Sequence, residues 1–212
     1  MKGMRGSLGT TLLLALALSL AGCSDSVLRP NPPADDTGGT DPGTEPLAGP
    51  EILMITEDLS VRFMKLTAEL ADETVPSAGG RSLLVSTPID GDVGGRLECG
   101  RFLLSVPPGA FAGKGTISMY MPDTEVMVVD LEISPAELND FKKPVKLALL
   151  TDGTRLDEDD LQIYWWDDSK SEWTGLGCDK DLSDDTAITG TSEGLLTDLD
   201  HFSRYSGGKA GW

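Results

Sequence analysis

The chain has 212 residues, with 17 Lys and Arg against 35 Asp and Glu, one His and three Cys. Its formal charge of −18 argues against a nucleic-acid partner, whose phosphates are met by Lys and Arg, and against lying flat on anionic lipid. One His and two distant Cys cannot supply the clustered ligands of a zinc site, so neither a metal nor a cofactor is expected.

Residues 1–22 begin with the basic Lys2 and Arg5 and continue into an apolar core from Thr11 to Ala21. That core is short for a membrane span of about 20 residues and ends in small residues, as a secretory signal peptide does. The closing Leu20-Ala21-Gly22-Cys23 resembles the bacterial lipoprotein box. The resemblance implies that Cys23 becomes the mature N-terminus and carries acyl chains, palmitate among them, into the bilayer; two or more chains make such anchoring stable. The alternative is an ordinary secretory peptide that precedes a Cys. Two of the 17 basic residues and none of the 35 acids lie in residues 1–22, so a chain starting at Cys23 carries −20. Ser24 beside Cys23 resembles the sorting pattern of outer-membrane lipoproteins, which implies a lipid-anchored place in the cell envelope, at the outer membrane.

Residues 23–50 are rich in Pro, Gly, Asp and Thr and nearly free of large apolar residues. Such a stretch cannot bury enough surface to offset its ordering entropy and reads as a disordered tether. Over 51–72, Ile52, Ile55, Leu59, Phe63, Leu66 and Leu70 recur every three or four residues, the helical period, and Pro50 suits a first-turn position. One amphipathic helix packed on the following domain is expected there.

Over 79–207 the period becomes two. Phe102, Leu104 and Val106 alternate with polar or opposite-face neighbours, as do Ile117, Met119 and Met121, then Val145, Leu147 and Leu149, then Leu161, Ile163 and Trp165. Turn signals separate these runs: Pro107-Pro108-Gly109, Gly113-Lys114-Gly115, Asp152-Gly153 and Asp167-Asp168-Ser169. Short alternating runs with regular breaks predict a mainly β, antiparallel β-sandwich, and no helix-length crossovers that a parallel α/β sheet needs lie between them. Trp165, Trp166 and Trp173 fall on a predicted hairpin, one face in the core and the other against the helix.

The ordered series Gly94-Gly95-Arg96-Leu97, Leu104-Ser105-Val106-Pro107-Pro108-Gly109-Ala110-Phe111, Ile133-Ser134-Pro135, Asp140-Phe141-Lys142-Lys143-Pro144-Val145, Leu161 to Trp166 and His201-Phe202-Ser203-Arg204-Tyr205 resembles the ZU-five domain of zona occludens proteins, netrin receptors and ankyrins. The match covers Gly94 to Tyr205. It implies a β-sandwich used as a protein-interaction or structural module, here with an unknown protein partner in the envelope. In some members the His-Phe-Ser motif cleaves itself. The resemblance therefore carries an alternative in which Ser203 attacks the Phe202 carbonyl, His201 takes the proton, and water hydrolyses the ester. Ser needs such a base because its hydroxyl is a weak nucleophile at neutral pH. The structural reading is a closing strand with Phe202 turned inward.

Other signals are weaker. Gly113-Lys114-Gly115-Thr116 fails the P-loop spacing, and no Gly-x-Ser-x-Gly or His-Glu-x-x-His occurs, so the chain reads as a non-enzyme. The carboxylates of Asp157 to Asp160 and Asp179 to Asp185 do not follow the helix-loop-helix calcium spacing and read as solvated loops. Cys99 and Cys178 are left as a disulfide candidate, permitted in an oxidising envelope, or as two separately buried thiols.

Overall fold

The structure, a computed structural model, describes residues 50–65, 77–156, 159–182 and 193–210. Cys23, the expected tether before Pro50, the stretch 66–72 and parts of both acidic clusters lie outside the described residues. The described strands are β1 (Glu51–Ile55), β2 (Val61–Lys65), β3 (Leu83–Asp90), β4 (Gly95–Cys99), β5 (Phe102–Val106), β6 (Lys114–Met121), β7 (Val128–Ser134), β8 (Val145–Leu150), β9 (Leu161–Asp167), β10 (Glu172–Leu176), β11 (Asp179–Asp181), β12 (Glu193–Leu199) and β13 (Arg204–Lys209). A single 3-10 turn, Ala136–Leu138, follows β7.

The strands form two antiparallel sheets, as the alternation predicted. The larger runs β10-β9-β13-β7-β6-β3, with β1 paired to β13 and to β2; the smaller runs β11-β12-β8-β5-β4. The apolar positions that the period-two reading placed inward are buried, except Trp165, which is half-buried against the core. Phe102, Leu104, Val106, Val145, Leu147 and Leu149 from the small sheet meet Ile117, Met119, Met121, Leu161 and Ile163 from the large one in a single core cluster. Burying one such side chain contributes about 1.5–3 kcal/mol, which makes this cluster the main stabilising element. Pro107-Pro108-Gly109 ends β5 as expected: Gly109 sits at φ +85°, a conformation that strains any residue with a Cβ, and Lys143 Nζ donates to the Pro108 carbonyl at 2.6 Å.

The expected amphipathic helix is a β-hairpin within the described residues. β1 and β2 pair from Glu51↔Lys65 to Ile55↔Val61. The reason lies in the run Ile52-Leu53-Met54-Ile55, which buries both faces. Leu53 and Ile55 join the main core, while Ile52 and Met54 pack with Val126, Val128, Met64 and Trp173 on the outer side of the large sheet. A short apolar run cannot be told from a helical one by spacing. The turn chemistry decides: Asp58 accepts bonds from the Thr56 hydroxyl and from the Ser60 N–H at 3.1 Å, and Leu59 adopts φ 65°. These local bonds compete with a helix. They hold the Asp58 carboxyl well below its ordinary range, at about 2, the Thr56 hydroxyl being the main cause. Trp173 accordingly packs against this hairpin.

The last strand is not at an edge. β13 lies mid-sheet, pairing with β9 along Tyr205–Lys209, with β7 at Arg204–Ser206 and with β1 at Gly208 and Lys209. Two neighbours on one side require close approach, and Gly208 supplies it toward β1, while Gly207 makes room for the facing small sheet. A Cβ on Gly208 would stand 2.3 Å from the Glu51 carbonyl oxygen, and one on Gly207 would stand 2.2 Å from Leu149 Cδ2.

Candidate functional site

His201, Phe202 and Ser203 form the crossing from β12 in the small sheet to β13 in the large one. Phe202 is turned inward, 4 % exposed, with its ring edge-on to Phe141 at 4.7 Å. Its backbone is held by one side chain: the Phe202 N–H donates to Asn139 Oδ1 at 2.6 Å, and Asn139 Nδ2 donates to the Phe202 carbonyl at 3.0 Å. Tyr205, buried in the core, donates its hydroxyl to the His201 carbonyl at 2.6 Å, the same device that pins a corner in immunoglobulin sandwiches. Burial, and secondarily the Asp200 charge, push that phenol far above its ordinary pKa. The His201 ring stands edge-on to Trp165 at 5.0 Å. The Ser203 hydroxyl points to the Trp166 carbonyl at 3.4 Å, and the Ser203 carbonyl accepts from the Leu131 N–H at 2.9 Å. The structure thus brings the three sequence-predicted residues together. It turns the hydroxyl and the imidazole toward two different tryptophans, and no hydrogen bond joins His201 to Ser203 among the described residues. Asn139 was not singled out from the sequence; an Asn in a loop 63 residues away carries no local signal of this pairing.

The two remaining cysteines do not pair; both thiols are free. Cys99 ends β4 at one edge of the small sheet. Cys178 lies just before β11, at the opposite edge, across four strand spacings of about 4.8 Å. A disulfide needs Cα atoms within about 7 Å. Cys99 Sγ rests 3.6 Å from the Met119 carbonyl, and Cys178 Sγ accepts from the Ile163 N–H at 3.0 Å. Burial pushes both thiols above their ordinary pKa, which makes them poor nucleophiles.

A second arrangement emerges from register. Tyr205 pairs with Trp165, so Trp166 flanks Arg204. Arg204 pairs with Asp130, Asp130 with Tyr120, and Tyr120 with Leu84; on the other side Trp166 pairs with Trp173. Because side chains alternate across a strand, these six share the outer face of the large sheet and form one row crossing it. Arg204 meets Asp130 through two contacts, Nε–Oδ1 at 2.6 Å and Nη2–Oδ2 at 3.2 Å, a fork geometry that fixes both groups. Trp166 packs on Trp173 at 5.5 Å. Tyr120 and Leu84 are 40 % and 65 % exposed, unusual for large apolar groups on a well-packed sheet. A groove of about 770 Å³ runs along this row from Trp166 to Leu84, lined also by Ser118, Glu132 and Asp168 and walled by the Ala136–Asn139 turn. The alternation Val129-Asp130-Leu131-Glu132-Ile133 was a readable sign of an outward acidic face, but which residues align across strands is set by pairing between distant segments.

Among the described residues no three His, Cys, Asp or Glu side chains converge as a metal site would require, and no helix is long and apolar enough to cross a membrane. No protein-family model matches the chain, and neither a curated protein nor a solved structure matches it significantly.

Proposed function

We propose that this chain is a lipid-anchored protein of the bacterial envelope, held at the outer membrane through Cys23, that presents a non-catalytic, ZU-five-like β-sandwich as an interaction module. The Leu20-Ala21-Gly22-Cys23 box and the polar stretch after it support the anchor and the tether. The observation that carries the interaction reading is the outward row from Trp166 to Leu84 with its groove. Aromatic side chains and a fixed Arg–carboxylate pair are the groups that dominate recognition surfaces. Treating producing cells with globomycin should make an unprocessed precursor accumulate, and Cys23→Ser should move the protein from the detergent to the aqueous phase. Wild-type protein in the aqueous phase would remove the anchor.

A second reading has one observation in its favour. Asn139 Nδ2 already donates to the Phe202 carbonyl, where an oxyanion would develop if Ser203 attacked it. Against it, the Ser203 hydroxyl and the His201 ring are engaged elsewhere. The intact mass of the purified chain separates the two readings. A full-length mass after prolonged incubation supports the interaction module; loss of Ser203–Trp212, abolished by Ser203→Ala, would establish self-processing.

A further inference from the structure

We propose that the groove on the outer face of the large sheet binds an extended, cationic segment of a partner protein, with Lys or Arg side chains laid over Tyr120 and Trp166. This rests on the interaction-module reading above and names the class of partner.

Three observations carry it. First, charge. Within the groove Asp130 is neutralised by Arg204, while Glu132 and Asp168 are exposed and make no ion pair or hydrogen bond with another described residue. The groove therefore keeps two unbalanced carboxylates, which attract a cationic partner and repel an anionic one. Second, each ring lies near one of them. Glu132 follows Asp130, Tyr120's cross-strand partner, by one outward position on β7, and Asp168 is two residues beyond Trp166. An aromatic face beside a carboxylate holds an Arg or Lys by cation–π attraction and by charge together. Third, spacing. Tyr120 and Trp166 lie on β6 and β9, three strand spacings apart, about 14 Å. In an extended peptide, side chains i and i+4 point the same way and also lie about 13–14 Å apart, so one strand crossing the row sets two cationic side chains over the two rings. A second copy of this chain does not fit, because each copy carries −20 when it begins at Cys23 and would repel the other. A neutral glycan would use the rings but leave the two carboxylates uncompensated.

The test is fluorescence anisotropy of labelled hexa-arginine with the full chain purified in neutral detergent, with hexa-glutamate and cellotetraose as competing probes. Binding is expected for hexa-arginine alone. It should weaken as salt rises, because exposed charges are screened. It should weaken about 2- to 30-fold in Glu132→Gln/Asp168→Asn, two exposed pairs being lost, and about as much in Tyr120→Ala. The control Asp92→Asn/Glu98→Gln, on a turn and on the small sheet, should bind as wild type. Thermal melts confirm that each variant folds, and the charge pair alone decides if Tyr120→Ala does not. Absent binding, equal loss in the control pair, or competition by cellotetraose at this row would each overturn the proposal. The same preparation reports intact mass and detergent partition. A flat titration on an intact, detergent-soluble chain therefore removes the cationic partner while leaving the envelope module standing.

Discussion

Asn139→Ala should destabilise the fold although it removes no apolar core side chain. The variant removes both hydrogen bonds to the Phe202 backbone, at 2.6 and 3.0 Å. A net hydrogen bond contributes about 0.5–1.5 kcal/mol, and a buried polar group left without a partner costs about 1–3 kcal/mol. Both orphaned groups lie on the backbone of buried Phe202, and the half-buried position that Asn139 vacates admits water only in part. The sum is a loss of about 2–3 kcal/mol. Urea unfolding of the full chain measures it as a lowered midpoint, about 1 M for a slope near 2 kcal/mol/M, with the slope itself unchanged. Glu137→Ala, in the same turn but exposed, is the control and should stay within about 0.5 kcal/mol of wild type. An Asn139→Ala variant as stable as that control would refute the reasoning that this amide, rather than Phe202 packing alone, fixes the corner.

Gly208→Ala should cost about 1–3 kcal/mol by overpacking, because its Cβ would meet the Glu51 carbonyl, whereas Gly177→Ala, with open space around it, should be neutral; thermal melts of the two variants check both. Buried Asp123 is pushed upward in pKa by burial, but bonds from Glu125 N–H, Ala78 N–H and the Ser77 hydroxyl outweigh this and hold it below its ordinary value. Its depressed folded-state pKa stabilises the protein fully above the unfolded value of about 3.9, and that contribution is lost as pH falls through the folded value. Asp123→Asn should therefore flatten the acid side of the melting-temperature profile; an equally steep fall would contradict the assignment. Alkylation in denaturant without reductant should label Cys99 and Cys178 both, read by mass, and a recovered Cys99–Cys178 peptide would contradict their separation across the small sheet.

The core was legible because β6 alternates cleanly and β5, β8 and β9 carry a large apolar residue at every second position facing the core. The first strand was not. Ile52-Leu53-Met54-Ile55 is buried on both faces, so its pattern carries no period, and a helix fitted the wider spacing to Leu70. The local bonds around Asp58 tip the balance to a turn, and they depend on a geometry that composition does not announce. The closing strand was readable in Phe202, which turns inward as expected. Its place mid-sheet was not, since it is the missing side chain of Gly208 that admits β1 alongside. The cysteines failed as a pair because sequence gives parity but not which sheet edge each one reaches. The row from Trp173 to Leu84 needs five cross-strand pairings, of which only Trp166–Trp173 lies within a hairpin the sequence suggested, and no stretch of sequence holds the rest together.

If the chain acts through the outer face of its large sheet and not through the Phe202–Ser203 bond, a bound cation protects that face and the C-terminus stays intact. Amide hydrogen exchange on the full chain, with and without saturating hexa-arginine, addresses both halves at once. The expected result is an intact C-terminal peptide containing β13, and added protection confined to β6, β7 and the turns at 135–139 and 168–171 that flank the groove. Protection centred on the small sheet, or a chain severed after Phe202, would contradict it.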